Sequence, residues 1–404
     1  MNAFKRTAIA LGVATALSLG TAHAQVSDNL IKIGVLTDMS SLYTDLAGAG
    51  SVVAAKLAVE DSGIEKRGYK VEVISADHQN KADVGSSVAR QWYDVDKVDV
   101  IVDTPNSGVA LAVSQITRDK GKAFLASGPG SSDLTGAKCS PNTVHWAYDT
   151  WMLANGTGTA ITKGGGDSWF FISADYAFGA ALERDTAAAV IKNGGKVIGG
   201  VKAPLNTQDF SSFLLQAQAS KAKIIGLANA GGDTTNSIKQ AAEFGIVKGG
   251  QKLAGLLVFL TDILALGLQT AQGLTFTETF YWDQNDASRA FAKRFSALDK
   301  GIYPTMVHAG VYASVLHYLK AVEALKSDDG TKVVAKMKEM STDDPLFGKG
   351  TIRVDGRKIH PAYLVQVKTP AESKAPWDYY KIVATIPADQ AFRPLADGGC
   401  SLVK

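Results

Sequence analysis

The sequence predicts an α/β protein built of two doubly wound lobes, and three observations predict it. Short β-rich runs alternate with helical stripes along most of the chain, the pattern of a parallel sheet covered by helices. That alternation breaks into Gly, Ser, Pro, Cys and aromatic residues over Ser127–Tyr148, then resumes as a second set. At 404 residues the chain is too long for one core, since a domain holds about 150 residues.

The elements follow in order. Ile31–Leu36 reads as a strand, and a polar loop containing Gly leads to a helix with Val52, Ala55 and Val59 on one face. Val71–Ser75 is a second strand, and Val84, Val88 and Trp92 mark the next helix. Val98–Val102 is a continuous apolar run, as a strand buried on both faces requires. Val109, Val113 and Ile116 give a helix, and Ala123–Ala126 a strand. The break at Ser127–Tyr148 reads as the first crossing between lobes. The second set comprises Trp169–Ser173, Ala181–Ile191, Val197–Val201, Phe210–Ala219, Ile224–Leu227, Ile238–Phe244 and Leu253–Leu257. The chain is expected to cross again after Gly273, where Val311, Val315, Leu319 and Val322 form a clear helical stripe. Tyr363–Val367 and Tyr379–Ile382 return to β character. This partition assigns 28–147 plus 275–350 to an N-terminal lobe and 148–274 plus 351–400 to a C-terminal lobe.

The first residues address the compartment. Lys5 and Arg6 precede an almost wholly apolar Thr7–Leu19, and Ala22-His23-Ala24 places small residues where a signal peptidase reads. A secretory signal peptide over 1–24 is expected, cut before Gln25, with the mature protein in the periplasm. The competing reading is a membrane anchor, but the run is shorter than the roughly 20 residues a span needs. Formal charge is +3, and Lys5 and Arg6 supply two of these charges. A nearly balanced chain without a basic run argues against nucleic acid as a partner. The two cysteines, Cys139 and Cys400, are an even pair in an oxidising compartment and therefore a disulfide candidate; two free thiols are the alternative. They are not clustered as zinc ligands would be, so no metal is expected.

Chemistry is concentrated where strands end. Thr37–Asp45, Asp103–Gly108 and Ser127–Asp133 are loops of small polar residues in the first lobe. Asn106, Ser107, Ser127, Gly128, Gly130 and Ser131 can supply the amides and hydroxyls of a carboxylate receptor, because helix N-termini present free N–H groups to anions. Ordinary helix capping explains any one such loop equally well. Three loops at one sheet edge favour a site, because open α/β sheets bind ligands at the carboxyl ends of their strands. The second lobe repeats the arrangement with Ser173–Gly179, Asn229–Asp233 and Thr261-Asp262. Tyr176 and Phe178 read either as ligand walls or as core.

These landmarks carry a resemblance. Ile33-Gly34-Val35-Leu36, the Ser-Ser-Leu-Tyr loop with Gly48, and Ala58-Val59-Glu60-Asp61 resemble the opening of type I periplasmic solute-binding proteins. That family serves ABC importers of the branched-chain amino acid class. Ser127–Thr135, Asp175–Gly179 and Ile238–Gly245 are similar to its later landmarks, so the resemblance runs from about Ile31 to Val367. It implies a Venus-flytrap fold with a three-strand hinge and a ligand clamped between the lobes. It also implies that Asn106, Ser107, Ser127, Gly128, Gly130 and Ser131 hold a carboxylate while Tyr43 covers the ligand. Phe178 stands where the family usually carries Tyr. An ammonium group would fall to Asp233 or Asp262, with Asn229 nearby; a ligand without an amine is also open. Tyr43, Tyr176 and Phe178, with Tyr281 or Trp282, would make an aromatic slot. An aromatic or aliphatic carboxylic acid is then the first expectation, and a hydrophobic amino acid the second.

Other classes are weighed against this one. His78, His145, His308, His317 and His360 are scattered, and no His-Glu-x-x-His, Gly-x-Ser-x-Gly or P-loop motif occurs. His78, beside Asp77, is the best placed for catalysis. A binding protein without enzymatic activity or cofactor is expected, monomeric and partnered by an ABC permease and its ATPase. The alternative is a sensor that uses the same clamp to signal through a separate membrane partner.

Overall fold

The structure is a computed structural model that describes residues 26–404; the expected signal peptide lies outside the described residues. The first sheet is parallel, in the order β2-β1-β3-β4-β5, from Ile31–Thr37 (β1), Val71–Asp77 (β2), Val100–Asp103 (β3), Ala123–Ala126 (β4) and Thr143–His145 (β5). Helices Gly48–Ser62 (α1), Ala82–Asp94 (α2) and Ser107–Asp119 (α3) connect its strands. Thr150–Leu153 (α4), a π turn and Thr159–Lys163 (α5) lead to the second sheet. That sheet is also parallel, in the order β7-β6-β8-β9, from Ser168–Ala174 (β6), Lys196–Ala203 (β7), Ile224–Ala228 (β8) and Lys252–Gly255 (β9). Ala177–Lys192 (α6), Ser211–Ala219 (α7) and Gly232–Glu243 (α8) connect it. The expected α/β class with two doubly wound lobes is borne out. Strands buried on both faces, such as β4 and β8, account for the continuous apolar runs.

After Leu260–Leu266 (α9) and Leu268–Ala271 (α10), the strand Thr275–Glu278 (β10) opens a third, antiparallel sheet. The chain then returns to the first lobe through Asp286–Leu298 (α11), Met306–Leu325 (α12) and Gly330–Glu339 (α13). Val311, Val315, Leu319 and Val322 are fully buried or nearly so, as their stripe predicts, and α12 packs along α1. A small sheet of Thr342–Asp344 (β11), Gly348–Ile352 (β12) and Lys358–Ile359 (β13) lies against it. Ala362–Val367 (β14) and Tyr380–Ile386 (β15) complete the antiparallel sheet with β10, and Ala388–Ala391 (α14) follows.

Hydrogen bonding places two lobe boundaries differently from the periodicity. β10 pairs with β14, and Phe276 joins Val365, Tyr380 and Ile172 in one core, so Thr275–Glu278 goes with the second lobe rather than the first. Arg357 bridges His145 at the edge of the first sheet, so β12 and β13 go with the first lobe. Short strands of mixed composition carry no period long enough to read, and long-range pairing decides them.

Buried Arg357 fastens the crossings to one another. Its guanidinium donates to the carbonyls of Trp146 and of Tyr148 (2.9 Å), and it ion-pairs with Asp149 at 3.4 Å. Trp146–Asp149 belong to the first crossing, and Arg357 stands just before the third. A buried guanidinium needs its fork filled, and these carbonyls fill it.

Candidate ligand-binding site

The loops that leave the carboxyl ends of both parallel sheets face one another. After β1, buried Asp38 accepts hydrogen bonds from the amides of Ser41 (3.0 Å) and Tyr43 (2.8 Å) and from Asn80 Nδ2 (2.7 Å). This folds the loop back and delivers Tyr43 to the cleft. At the end of β3, Asp103 and Thr104 adopt φ of 77° and 63°, a region that costs non-glycine residues energy and is rare for a β-branched one. The bend turns Pro105 into the cleft and leaves Asn106 to cap α3, its Oδ1 accepting from the Val109 amide at 3.0 Å. Burial pushes the Asp103 carboxyl up to about 7.

The loop after β4 is braced from within. The Ser131 amide donates to Ser107 Oγ at 3.1 Å, and Ser131 Oγ accepts from the Asp133 amide at 3.3 Å. Tyr148 donates to the Gly128 carbonyl at 2.5 Å. Gly130 admits no side chain, since a Cβ there would lie 2.7 Å from Phe178 of the opposite lobe. The second lobe has its own close approach: Gly231, at φ 59°, would place a Cβ 2.8 Å from the Leu42 carbonyl.

The result is a slot lined by Tyr43 and Leu46 from the loop after β1, Pro105 from the loop after β3 and Tyr148 from the crossing, and by Tyr176, Phe178, Ala230, Leu257 and Phe259 from the second lobe. Its free volume is about 10 Å³, room for roughly one water, so the lobes must separate to admit a solute. The hydroxyls of Tyr43 and Tyr176 meet across it at 2.5 Å. Burial raises both phenols above their usual range, so they stay protonated and act as neutral donors and acceptors. Asp233, whose Oδ1 is buried without a partner, is pushed up to about 6 by burial and stands close enough to act on both phenols.

Of the residues singled out in the sequence, Tyr43, Tyr176 and Phe178 line the slot directly. Gly130 packs on Phe178, while Asn106, Ser107 and Ser131 brace the first-lobe loops behind it. Ser127 points elsewhere: its side chain lies against Gly310 of α12, with Ser314 Oγ at 3.4 Å. Asn229 binds Thr234 and Ser237 of α8, and Asp262 accepts the Phe259 amide at 2.9 Å. Tyr281 and Trp282 hold the Trp377 carbonyl in the second core and do not line the slot. Leu46, Pro105, Tyr148, Ala230, Leu257 and Phe259 were not singled out. Leu257 and Phe259 are masked in the sequence because the apolar run reads as strand to Leu257, whereas β9 ends at Gly255.

None of the described histidines lines the slot. His145, His308, His317 and His360 each have a ring nitrogen on a backbone carbonyl, and His78 Nδ1 accepts the Asn80 amide at 3.0 Å. Burial lowers His78 to about 4, which keeps it neutral. A larger hollow, about 680 Å³, opens at the amino edge of the second sheet between Gly165, Ile224 and Leu274. No residue lining it carries a buried polar atom without a partner, and it lies at the wrong end of the strands.

A polar cluster joins the lobes beside the slot. Asp185 Oδ2 on α6 accepts from Ser132 Oγ (2.7 Å) and Thr150 Oγ1 (2.6 Å), and Arg184 pairs with Asp133 at 3.1 Å.

Comparison with known proteins agrees with this architecture. The family model described as "Periplasmic binding protein" matches residues 30–374. A periplasmic binding protein of Burkholderia mallei is 53% identical, with a TM-score of 0.90 over 93% of this chain and 100% of that one. A branched-chain amino acid ABC transporter periplasmic ligand-binding protein of Burkholderia xenovorans LB400 is 41% identical, with a TM-score of 0.82 over the same shares. An ABC transporter solute-binding protein of R. palustris, solved in complex with benzoate, shares the fold at 21% identity and a TM-score of 0.81, over 92% of this chain and 99% of that one. These are solute-binding proteins and not enzymes. With two lobes meeting at their strand ends and a family match across most of its length, this chain belongs to the periplasmic binding protein family, as a type I, leucine/isoleucine/valine-binding-protein-like member.

Proposed function

We propose that the chain is the periplasmic solute-binding component of an ABC import system. It clamps one small carboxylate between its lobes and delivers it, as a monomer, to the membrane permease and ATPase. Export by a signal peptide over 1–24 belongs to this reading. The observation that carries the ligand class is the slot itself: the rings of Tyr43, Tyr148, Tyr176, Phe178 and Phe259 converge from both lobes on one point. Small-molecule sites are mostly apolar with a few polar anchors, and a flat aromatic ring fits between such walls.

The carboxylate would meet the amino end of α3 and the Gly128–Ser131 loop, where Asn106, Ser107 and Ser131 are already oriented. Tyr43 and Tyr176 would close over the ring. Among the described residues no Lys or Arg side chain lines the slot, so backbone dipoles and hydroxyls are left to neutralise the anion. An aromatic acid is the first choice, in line with the benzoate held by the R. palustris protein of the same fold. A hydrophobic amino acid is the second, in line with the name of the B. xenovorans relative; Asp233 would then face the ammonium group. Ligand bridging the two lobes shifts the equilibrium to the closed state by its differential affinity.

A thermal-shift screen of benzoate, 4-hydroxybenzoate, aliphatic acids, leucine and valine tests the reading. Stabilisation by an aromatic acid, returned unchanged on dialysis, is expected. Stabilisation by leucine or valine alone would replace the first choice with the second, and consumption of the bound molecule would end the binding-protein reading.

A further inference from the structure

The chain passes between the lobes once more after β15, and this last passage is fastened unlike the others. Tyr380, on β15, packs in the second core. From Pro387 onward the chain leaves that core and runs to the first lobe. The Gln390 carbonyl accepts from Asn155 Nδ2 at 2.9 Å, and the Phe392 ring lies 4.4 Å from the Arg357 guanidinium. Arg353 Nη1 donates to the Arg393 carbonyl at 2.6 Å. Arg393 Nη2 in turn donates to the Ser132 carbonyl at 3.0 Å, and Cys400 is joined to Cys139 by a disulfide. The fit is close, since a Cβ on Gly136 would meet Arg393 Nη2 at 2.7 Å and the Gly398 carbonyl at 2.9 Å.

What the tail grips decides what it can do. Ser132 is the same residue whose hydroxyl donates to Asp185 and accepts from Arg184 Nη2 (2.9 Å) across the cleft, and whose amide donates to Thr150 Oγ1 at 3.1 Å. Its neighbour Asp133 pairs with Arg184, and its neighbour Ser131 is tied to Ser107 behind the slot. The turn Ser131–Asp133 therefore has the slot on one side, the second lobe on another and the C-terminal tail behind it. A latch made of hydrogen bonds and one ion pair is worth little if either half must be ordered on closing. Holding one half in place removes that cost.

We propose that the segment from Ala388 to Cys400 is a strap that positions the Ser131–Asp133 turn for closure, with Arg393 and the Cys139–Cys400 disulfide as its two fastenings. The inference rests on the reading of the molecule as a closing clamp, but it concerns the lobes alone. Its test needs no ligand.

The experiment is hydrogen exchange by mass spectrometry over Ser131–Thr135 in the full chain, with small-angle scattering for lobe opening. Arg184→Ala is expected to lower protection of the Ser132 amide about tenfold and to open the particle. In the Cys139→Ser/Cys400→Ser background, protection is already low, and Arg184→Ala adds nothing further; coupled residues show this non-additivity, and independent ones do not. Arg393→Ala, which keeps the disulfide, serves as the second route should the cysteine variant not fold, and it should reduce the Arg184→Ala effect in the same direction. Arg393→Lys should restore part of it. An Arg184→Ala effect of equal size in all backgrounds would reduce the disulfide to a plain stabiliser and overturn the proposal, as would the absence of any effect of Arg184→Ala in the parent protein. Either failure leaves the solute-binding reading standing, because the screen that tests that reading measures ligand and not lobe coupling.

Discussion

The phenolic oxygens of Tyr43 and Tyr176 stand 2.5 Å apart, one ring carried by the loop after β1 and the other by the loop after β6. They are 133 positions apart in the chain, and the bond exists only while the lobes are together. Tyr43→Phe and Tyr176→Phe should each weaken solute affinity by about 0.5–1.5 kcal/mol, the net worth of one hydrogen bond. The double variant should be scarcely worse than either single one, because both remove the same interaction. Calorimetry with the tightest ligand of the screen measures this, and full additivity would show that the two hydroxyls act separately.

Gly130 fixes how near Phe178 comes. In Gly130→Ala the new methyl would lie 2.7 Å from one ring and 3.0 Å from that of Tyr148, so the lobes would stop short of closure. Affinity should fall by more than about tenfold. Adding Phe178→Leu should recover part of the loss. No recovery would mean that the clash lies within the first lobe.

Ser107 acts through Ser131. Removing its hydroxyl in Ser107→Ala leaves the Ser131 amide without its 3.1 Å acceptor and frees the loop beside the slot. Affinity for a carboxylate should drop by about 1–3 kcal/mol, the cost of an unmet buried donor. Unchanged affinity would remove this loop from the receptor.

Asp103 links stability to pH. Burial raises its carboxyl from the ordinary 3.8 to about 7, so the folded chain binds a proton that the unfolded chain has released across that interval. The group therefore destabilises the fold progressively as pH rises through it, and Asn at this place does not. The stability of Asp103→Asn relative to the parent should climb from about pH 4 to about pH 7 and then level off. Denaturant midpoints across that range report it, and a pH-independent difference would show that Asp103 is ionised throughout. Comparing the two proteins at each pH matters, because burial lowers His78, His308 and His317 to about 4 and gives the whole protein an opposing slope below the ordinary histidine range.

Much of the fold was legible because its signals are local. A run such as Ala123-Phe124-Leu125-Ala126 announces a strand buried on both faces, and the stripe Val311, Val315, Leu319, Val322 announces a helix face. The same is true of Tyr43, Tyr176 and Phe178, large rings in polar strand-end loops. Less of the site could be read, because hydroxyls and amides say nothing about their partners. Ser127 looks like Ser131 in sequence, yet Ser127 faces α12 and Ser131 faces Ser107. Tyr148 and Phe259 fall in stretches that read as crossing and strand, and they touch only because the lobes meet, their ring centres 6.1 Å apart.

By itself, then, the sequence determined two doubly wound lobes, the sheet ends at which they bind and the aromatic residues carried there. The tertiary structure alone decided which polar groups brace the loops and which reach the other lobe, and that β10 crosses to the second core while the tail returns to Ser132. The physical reason is range. Backbone periodicity is set by neighbours within a few residues, whereas closure is set by contacts such as Arg184 with Asp133 and Arg393 with Ser132, and these depend on the whole path of the chain.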